Sequence, residues 1–219
     1  MQSHLDECRH NMVEQQVRPW DVLDDKVLNT LEQIPRDKFV PSQYINLAYA
    51  DTAIPLNDQE CMMHPVVEGR LLQLLNIQPE DDVLEIGTGS GFLTACLANL
   101  ACHVDSIEID STLAEAAQQR LAEQSIQNVN IRTGDGLAPS DSDKKYDVIV
   151  LTGSVSEVPE QFKQALEING RMFVVTGSAP AMQAHLITRT SESDWSDEVI
   201  FETVLQSLIH GEAKPDFSF

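Results

Sequence analysis

The chain has 219 residues, of which 35 are acidic and 14 basic, and its formal net charge is −21. Nucleic-acid binding depends on Lys and Arg contacts to phosphates, so this balance argues against a nucleic-acid partner. The hydrophobic content of 42% is that of an ordinary globular protein, and the apolar runs are too short to span a membrane. The length predicts one domain over residues 1–219.

The N-terminus and the cysteines indicate the cellular compartment. The N-terminus has no apolar stretch typical of a secretory signal, and the four cysteines form no CxxC pair. We therefore expect a reduced, cytoplasmic protein. His4, Cys8 and His10 lie close together, but a metal site needs more ligands than this cluster offers, so none is expected. The sequence leaves the oligomeric state open.

The first 80 residues predict a helical segment. Apolar residues at near-helical spacing indicate a helix that ends at Pro19 and a second over residues 27–34. Pro65 opens a third over residues 65–75. We expect this segment, residues 1–80, to pack over one end of the following α/β core, residues 81–219, as a lid.

From residue 82 onward, strand and helix patterns alternate. Such alternation predicts an α/β fold, a Rossmann-like, doubly wound and mostly parallel sheet. Two further apolar stretches near the end predict a C-terminal antiparallel hairpin. The predicted strands are residues 82–87, 103–109, 128–134, 146–153, 170–177, 184–190 and 198–205, and the predicted helices are residues 90–100, 111–124 and 158–167.

A glycine-rich turn joins the first of these strands to its helix, at the place where doubly wound sheets bind ligands. It reads Gly87-Thr88-Gly89-Ser90-Gly91-Phe92. The third glycine stands one position earlier than in the dinucleotide fingerprint, and Phe92 takes the fingerprint's last place. This spacing weighs against NAD or FAD as the ligand.

Acidic residues stand at the ends of three successive strands. Glu85 beside the turn repels a diphosphate but can accept hydrogen bonds from an ammonium group, which suits S-adenosylmethionine. Glu108 can hold both ribose hydroxyls, and Asp135, between two glycines, can reach an adenine amino group. Each residue alone also fits a helix cap or a loop acid, but the ordered set indicates a nucleoside site.

These motifs resemble a known family. The stretches VLEIGTGSGFLTACLA (83–98), SIEID (106–110), GDG (134–136) and YDVIVLTGSVSEVP (146–159) resemble class I S-adenosylmethionine-dependent methyltransferases. More narrowly, the chain is similar to the protein-L-isoaspartate O-methyltransferase family. That similarity is carried by PRDKFVP (35–41), AYAD (48–51), the helix after Pro65 and VPEQFKQALEINGRMFVV (158–175).

The resemblance implies an enzyme of protein repair. It implies transfer of a methyl group from S-adenosyl-L-methionine to the carboxylate of L-isoaspartyl residues in damaged proteins or peptides. It also implies cofactor contacts at Glu85, Gly87, Thr88, Gly89, Ser90, Gly91, Glu108, Ile109, Asp135, Gly136 and Thr152.

One departure from the family concerns the acceptor. The family has a serine at the methyl-transfer site where this chain has Met63, followed by His64. A thioether cannot donate a hydrogen bond to a carboxylate, whereas the neighbouring imidazole can supply a donor. Met63 and His64 are therefore the candidate catalytic positions. Two alternatives stay open: the same cofactor with a different acceptor, or a cofactor-binding module without turnover.

Overall fold

The computed structural model describes residues 2–139 and 143–212, and its first part is largely helical. After α1 the chain winds as a π-helix over Met12–Val17 and then as a short 3₁₀ turn over Arg18–Trp20. Residues of this segment join the main hydrophobic core and pack with α3. The elements are α1 (Gln2–Asn11), α2 (Asp25–Gln33), β1 (Ile54–Pro55), β2 (Cys61–Met62) and α3 (Pro65–Leu75).

Local sequence explains where these helices begin and end. The Asp24 carboxylate accepts a hydrogen bond from the Lys26 amide at 2.8 Å and so caps α2. Pro65 stands in the first turn of α3, where its missing N–H leaves no helical hydrogen bond unmade. Asn76 then ends α3 in the left-handed conformation, with φ of 43°.

The rest of the chain forms a seven-stranded sheet with the spatial order β5-β4-β3-β6-β7-β8-β9. The first five strands pair in parallel, and β8 and β9 pair antiparallel at one edge, which confirms the predicted fold class. The elements are β3 (Asp82–Ile86), α4 (Phe92–Leu100), β4 (His103–Glu108), α5 (Ser111–Glu123), β5 (Val129–Thr133), β6 (Tyr146–Val155), α6 (Glu160–Ala165), β7 (Leu166–Ser178), β8 (Ala181–Arg189) and β9 (Trp195–Glu202).

The sheet is buried on both faces, because side chains alternate between two cores along its central strands. On β3, Val83 belongs to the core shared with the N-terminal helices, whereas Leu84 belongs to the core on the opposite face. On β6, Val148 and Ile149 alternate in the same way. Within the described residues, the structure has no helix that is both long and apolar enough to cross a membrane.

Several predicted boundaries move: β8 begins at Ala181 and β9 at Trp195, each three residues earlier than predicted, and the boundary between α6 and β7 shifts as well. The helix expected over residues 158–167 ends at Ala165, and the strand expected from residue 170 begins at Leu166. The strand is longer because Leu166 pairs with Tyr146 before a register shift leads to the pairing of Arg171 with Val148. A bulge of this kind lets a strand continue through a local irregularity that the hydrophobic pattern does not show.

Candidate functional site

The glycine turn between β3 and α4 is shaped by backbone conformations that side chains rarely adopt. Gly87 has φ of 94°, and a Cβ there would lie 2.3 Å from Thr152 Oγ1. Gly91 has φ of 86°, and a Cβ there would lie 3.1 Å from the Cβ of Ala117 on α5. Both positions therefore require glycine for conformation and for close packing. Thr152 fixes the turn by donating to the carbonyl oxygens of Ile86 and Gly87 at 3.0 and 2.8 Å.

An open cavity lies at the carboxyl ends of the parallel strands, beside this turn. The segment before α3 and a segment near the C-terminus complete its wall, through Leu56 and Leu208 among others. α1 packs against α2, and α2 packs against α3 and α4, whereas the described residues that line this cavity begin at Leu56. The residues predicted from the sequence that line it are Gly87, Gly89, Glu108, Ile109, Asp135, Gly136 and Thr152.

A smaller cavity adjoins the first and shares Gly87, Gly89 and Thr152 with it. Thr88 and Ser90 line it, together with Met63 and Glu68. Gly91 lines neither cavity and acts through the packing described above. The residues predicted to contact the nucleotide therefore lie around the same turn as Met63, which stands in place of the family serine.

Glu108 is held so that its carboxylate faces the cavity in a fixed orientation. Its Oε2 accepts a hydrogen bond from the Gly89 amide at 2.7 Å, and its Oε1 accepts one from the Asp110 amide at 3.0 Å. A carboxylate has about four lone-pair sites, so each oxygen keeps capacity for one more donor. Two neighbouring hydroxyl groups of a ribose match that capacity. The Asp110 side chain, and not Glu108, caps α5.

Asp135 follows β5 and is oriented by two donors. The Leu137 amide donates to Oδ1 and the His210 ring, through Nδ1, contacts Oδ2, both at 2.9 Å. Partial burial raises the pKa of Asp135, but the hydrogen bonds from His210 and the Leu137 amide outweigh it and leave that pKa below its ordinary value. An ionised carboxylate at this wall accepts hydrogen bonds from an amino group such as that of adenine.

Glu85 occupies a different place from the one expected. Its side chain is fully buried and lines neither cavity. Thr94 and Ser106 donate to its Oε2, each at 2.6 Å, and Oε1 has no partner among the described residues. Burial raises the pKa of Glu85 to about 8, against the lowering effect of those two hydrogen bonds. The sequence predicts that Glu85 accepts hydrogen bonds from an ammonium group directly or through water, and a carboxylate that lines neither cavity does not offer the direct contact.

Met63 and His64, adjacent in sequence, face different surroundings. Met63 is 7% exposed and lines the smaller cavity, so its thioether lies where the family resemblance places a hydroxyl. His64 lines neither cavity, and its Nδ1 lies 3.5 Å from Asp51 Oδ1. In this arrangement the imidazole does not replace the missing donor.

The wall contributed by a segment near the C-terminus, residues 206–209, was missed from the sequence. The Ser154 amide donates to the Gln206 carbonyl and the Leu208 amide donates to the Ser154 carbonyl, each at 2.9 Å. The segment therefore runs along the end of β6 and places Leu208 against the glycine turn. Backbone hydrogen bonds of this kind leave no periodic signal in the sequence.

Comparisons with known proteins give matches over most of the chain. The family model described as protein-L-isoaspartate(D-aspartate) O-methyltransferase (PCMT) matches residues 7–209. A protein-L-isoaspartate O-methyltransferase of Brucella anthropi is 32% identical over 216 residues, which cover 98% of this chain and 99% of that protein. Another, of Rhodopseudomonas palustris, is 34% identical and covers 92% and 93%.

Solved structures show the same fold. A Plasmodium falciparum protein crystallised in complex with S-adenosyl-L-homocysteine has a TM-score of 0.78 and 21% identity, and the match covers 92% of this chain and 98% of that one. A structure of a protein-L-isoaspartate O-methyltransferase also has a TM-score of 0.78, at 23% identity, and covers 95% of this chain and 66% of that one.

Proposed function

Because the chain belongs to the protein-L-isoaspartate O-methyltransferase family, we propose that it transfers a methyl group from S-adenosyl-L-methionine to the carboxylate of L-isoaspartyl residues in proteins and peptides. The observation that carries the proposal is the joint position of Glu108, Asp135 and Met63 around one glycine turn. A single ligand bound at the turn then contacts the nucleoside-binding residues and also reaches the methyl-transfer position.

The residues present fit the cofactor. Glu108 offers two oriented acceptor oxygens for the ribose hydroxyls, and Asp135 offers an acceptor for the adenine amino group. Gly87 and Gly89, both at positive φ, have no side chain, so neither position places one beside the turn. When it is bound, S-adenosylmethionine supplies an activated methyl group on a sulfonium ion.

The chemistry asks little of the protein beyond alignment. A carboxyl acceptor with a reference pKa of about 3.9 is already ionised at neutral pH, so a general base adds nothing. Holding the reactants in line can supply roughly 7–11 kcal/mol of the barrier reduction. Loss of one hydrogen bond to a charged acceptor, as at Met63, costs about 1.5–3 kcal/mol. The substitution therefore slows the reaction or alters its selectivity without abolishing it.

A second candidate keeps the cofactor and changes the acceptor, and the electrostatics of the site favour it. Among the described residues that line the two cavities there are four acids, Glu60, Glu68, Glu108 and Asp135, and no Lys, Arg or His. A carboxylate acceptor therefore meets no cationic partner there, and Met63 offers it no hydroxyl. A neutral small molecule would suffer less from this environment.

An acceptor panel separates these candidates. Labelled S-adenosylmethionine is incubated with an isoaspartyl peptide, with its aspartyl counterpart and with small carboxylates and hydroxyl compounds. The proposal expects label on the isoaspartyl peptide and not on the aspartyl control. Label on a small molecule alone supports the second candidate. Tight S-adenosylhomocysteine binding with no label on any acceptor indicates a non-catalytic module.

A further inference from the structure

The smaller cavity contains a buried carboxylate that the reaction described above does not use. Glu68 lies in the first turn of α3, is 2% exposed and lines this cavity together with Met63 and the glycine turn. The neighbouring positions of α3 are almost all apolar, so a carboxylate here is unfavourable unless it has a partner.

Its partner is Arg36, which is also fully buried. The Arg36 guanidinium donates to Glu68 Oε2 and, at 2.7 Å, to the Met63 carbonyl oxygen. It also lies 4.7 Å from the centre of the Phe92 ring at the start of α4. Three contacts therefore fix the guanidinium and, through it, the orientation of the carboxylate.

This arrangement leaves half of the carboxylate unused. Arg36 occupies Oε2, and no other described residue donates a hydrogen bond to Glu68. Burial raises the pKa of Glu68 to about 7, although Arg36 acts in the opposite direction. The second oxygen, Oε1, therefore remains an unfilled acceptor beside the cavity.

The two buried glutamates near the turn differ in access. Glu85 lies behind the turn, where Thr94 and Ser106 hold it, and it lines neither cavity. Glu68 lines the cavity into which Gly87, Thr88 and Gly89 also face. Of these two carboxylates, Glu68 is the one a ligand at the turn can reach.

We propose that Glu68 accepts a hydrogen bond from the α-ammonium group at the amino acid end of the methyl donor, an inference that rests on the proposed function. Glu108 and Asp135 line the larger cavity, Glu68 lines the smaller one, and Gly87 and Gly89 line both. The nucleoside end of one ligand then occupies the larger cavity and its amino acid end the smaller one. The sequence predicts that Glu85 contacts this ammonium group, and in the proposed arrangement Glu68 contacts it instead.

Four adenosyl ligands test the assignment by calorimetry on the full chain. S-adenosylhomocysteine and its decarboxylated analogue carry the amino group, whereas the deaminated analogue and 5′-methylthioadenosine lack it. Glu68→Gln should weaken binding of the two amine ligands by about tenfold or more, the size of a lost hydrogen bond to a charged group. Binding of the two ligands without the amine should stay unchanged, which also shows that the variant is folded.

Glu85→Gln is the matched control, since it alters a second buried glutamate beside the same turn. Glu85→Gln should change the affinity for all four ligands by the same factor. If Glu68→Gln changes all four ligands equally, or none of them, the assignment of Glu68 is refuted while the proposed function stands. If the wild-type chain binds none of the four, the proposed function and this inference fall together.

Discussion

Replacing Glu85 with Gln should remove a source of pH sensitivity from the core of the sheet. The carboxyl group is fully buried, Thr94 and Ser106 donate to one of its oxygens, and the other has no partner among the described residues. Burial raises its pKa to about 8 from the ordinary 4.5. At neutral pH the folded protein therefore holds a proton that the unfolded chain releases.

The consequence for stability follows from this difference in proton binding. Because the folded pKa lies above the unfolded one, the stabilisation is complete below pH 4.5 and is lost as the pH rises through about 8. Between about pH 6 and about pH 8 the loss amounts to about 2 kcal/mol. For a chain of this size that corresponds to a fall in Tm of roughly 4–8 °C.

Urea and thermal unfolding across this pH range measure the effect. Between about pH 6 and pH 8, the free energy of unfolding of the wild type should fall by about 2 kcal/mol more than that of Glu85→Gln. The reason is that Gln does not titrate. Glu115→Gln, on the exposed side of α5, is the control and should follow wild type at every pH. Glu68 titrates in the same direction in every variant, so its contribution cancels. Parallel curves for wild type and Glu85→Gln would show that the carboxyl group is ionised in the fold and would refute the reasoning.

Three further predictions concern the site. Met63→Ser restores a hydroxyl and should raise kcat/KM for an isoaspartyl peptide by about tenfold or more, since a hydrogen bond to a charged group contributes about 1.5–3 kcal/mol. A labelled-methyl assay measures the change, and an unchanged kcat/KM would place the acceptor elsewhere. Glu108→Ala should weaken S-adenosylhomocysteine binding by about tenfold or more in calorimetry, and unchanged affinity would remove Glu108 from the ribose contact. His210→Ala should raise the pKa of Asp135, because it removes a hydrogen bond that lowers this pKa. NMR titration measures the pKa, and a value that stays low would show that the Leu137 amide lowers it.

The part of the site that could be predicted lies where local sequence dictates conformation. The turn at Gly87 and Gly91 is recognisable because glycines at these positions adopt positive φ between a buried strand and a helix. Glu108 and Asp135 follow their strands directly, so the topology of a parallel sheet brings them to one edge. For these residues, sequence order implies spatial order.

Other features depend on long-range packing and could not be read from local patterns. Glu85 directly precedes the turn in the sequence, yet the pleat of β3 directs its side chain into the core, towards Thr94 and Ser106. Glu68 pairs with Arg36 across 32 residues of sequence. Its only signal was a charged residue within the apolar run of α3.

Backbone geometry accounts for the remaining differences. The C-terminal wall is held by hydrogen bonds between main-chain groups of Ser154, Gln206 and Leu208, which many side chains would allow. The π-helix over Met12–Val17 changes the winding of a helix whose apolar residues still fit helical spacing. The strand β7 begins early because Leu166 pairs with Tyr146, a contact set by the neighbouring strand.

The central claim is that the site methylates an isoaspartyl carboxylate despite the thioether of Met63. The most direct measurement is mass spectrometry of two peptides that differ only in an isoaspartyl or aspartyl linkage, each incubated with the protein and S-adenosylmethionine. The isoaspartyl peptide should gain one methyl group and the aspartyl peptide none. No methylation of the isoaspartyl peptide, by protein shown in the same preparation to bind S-adenosylhomocysteine, would contradict it.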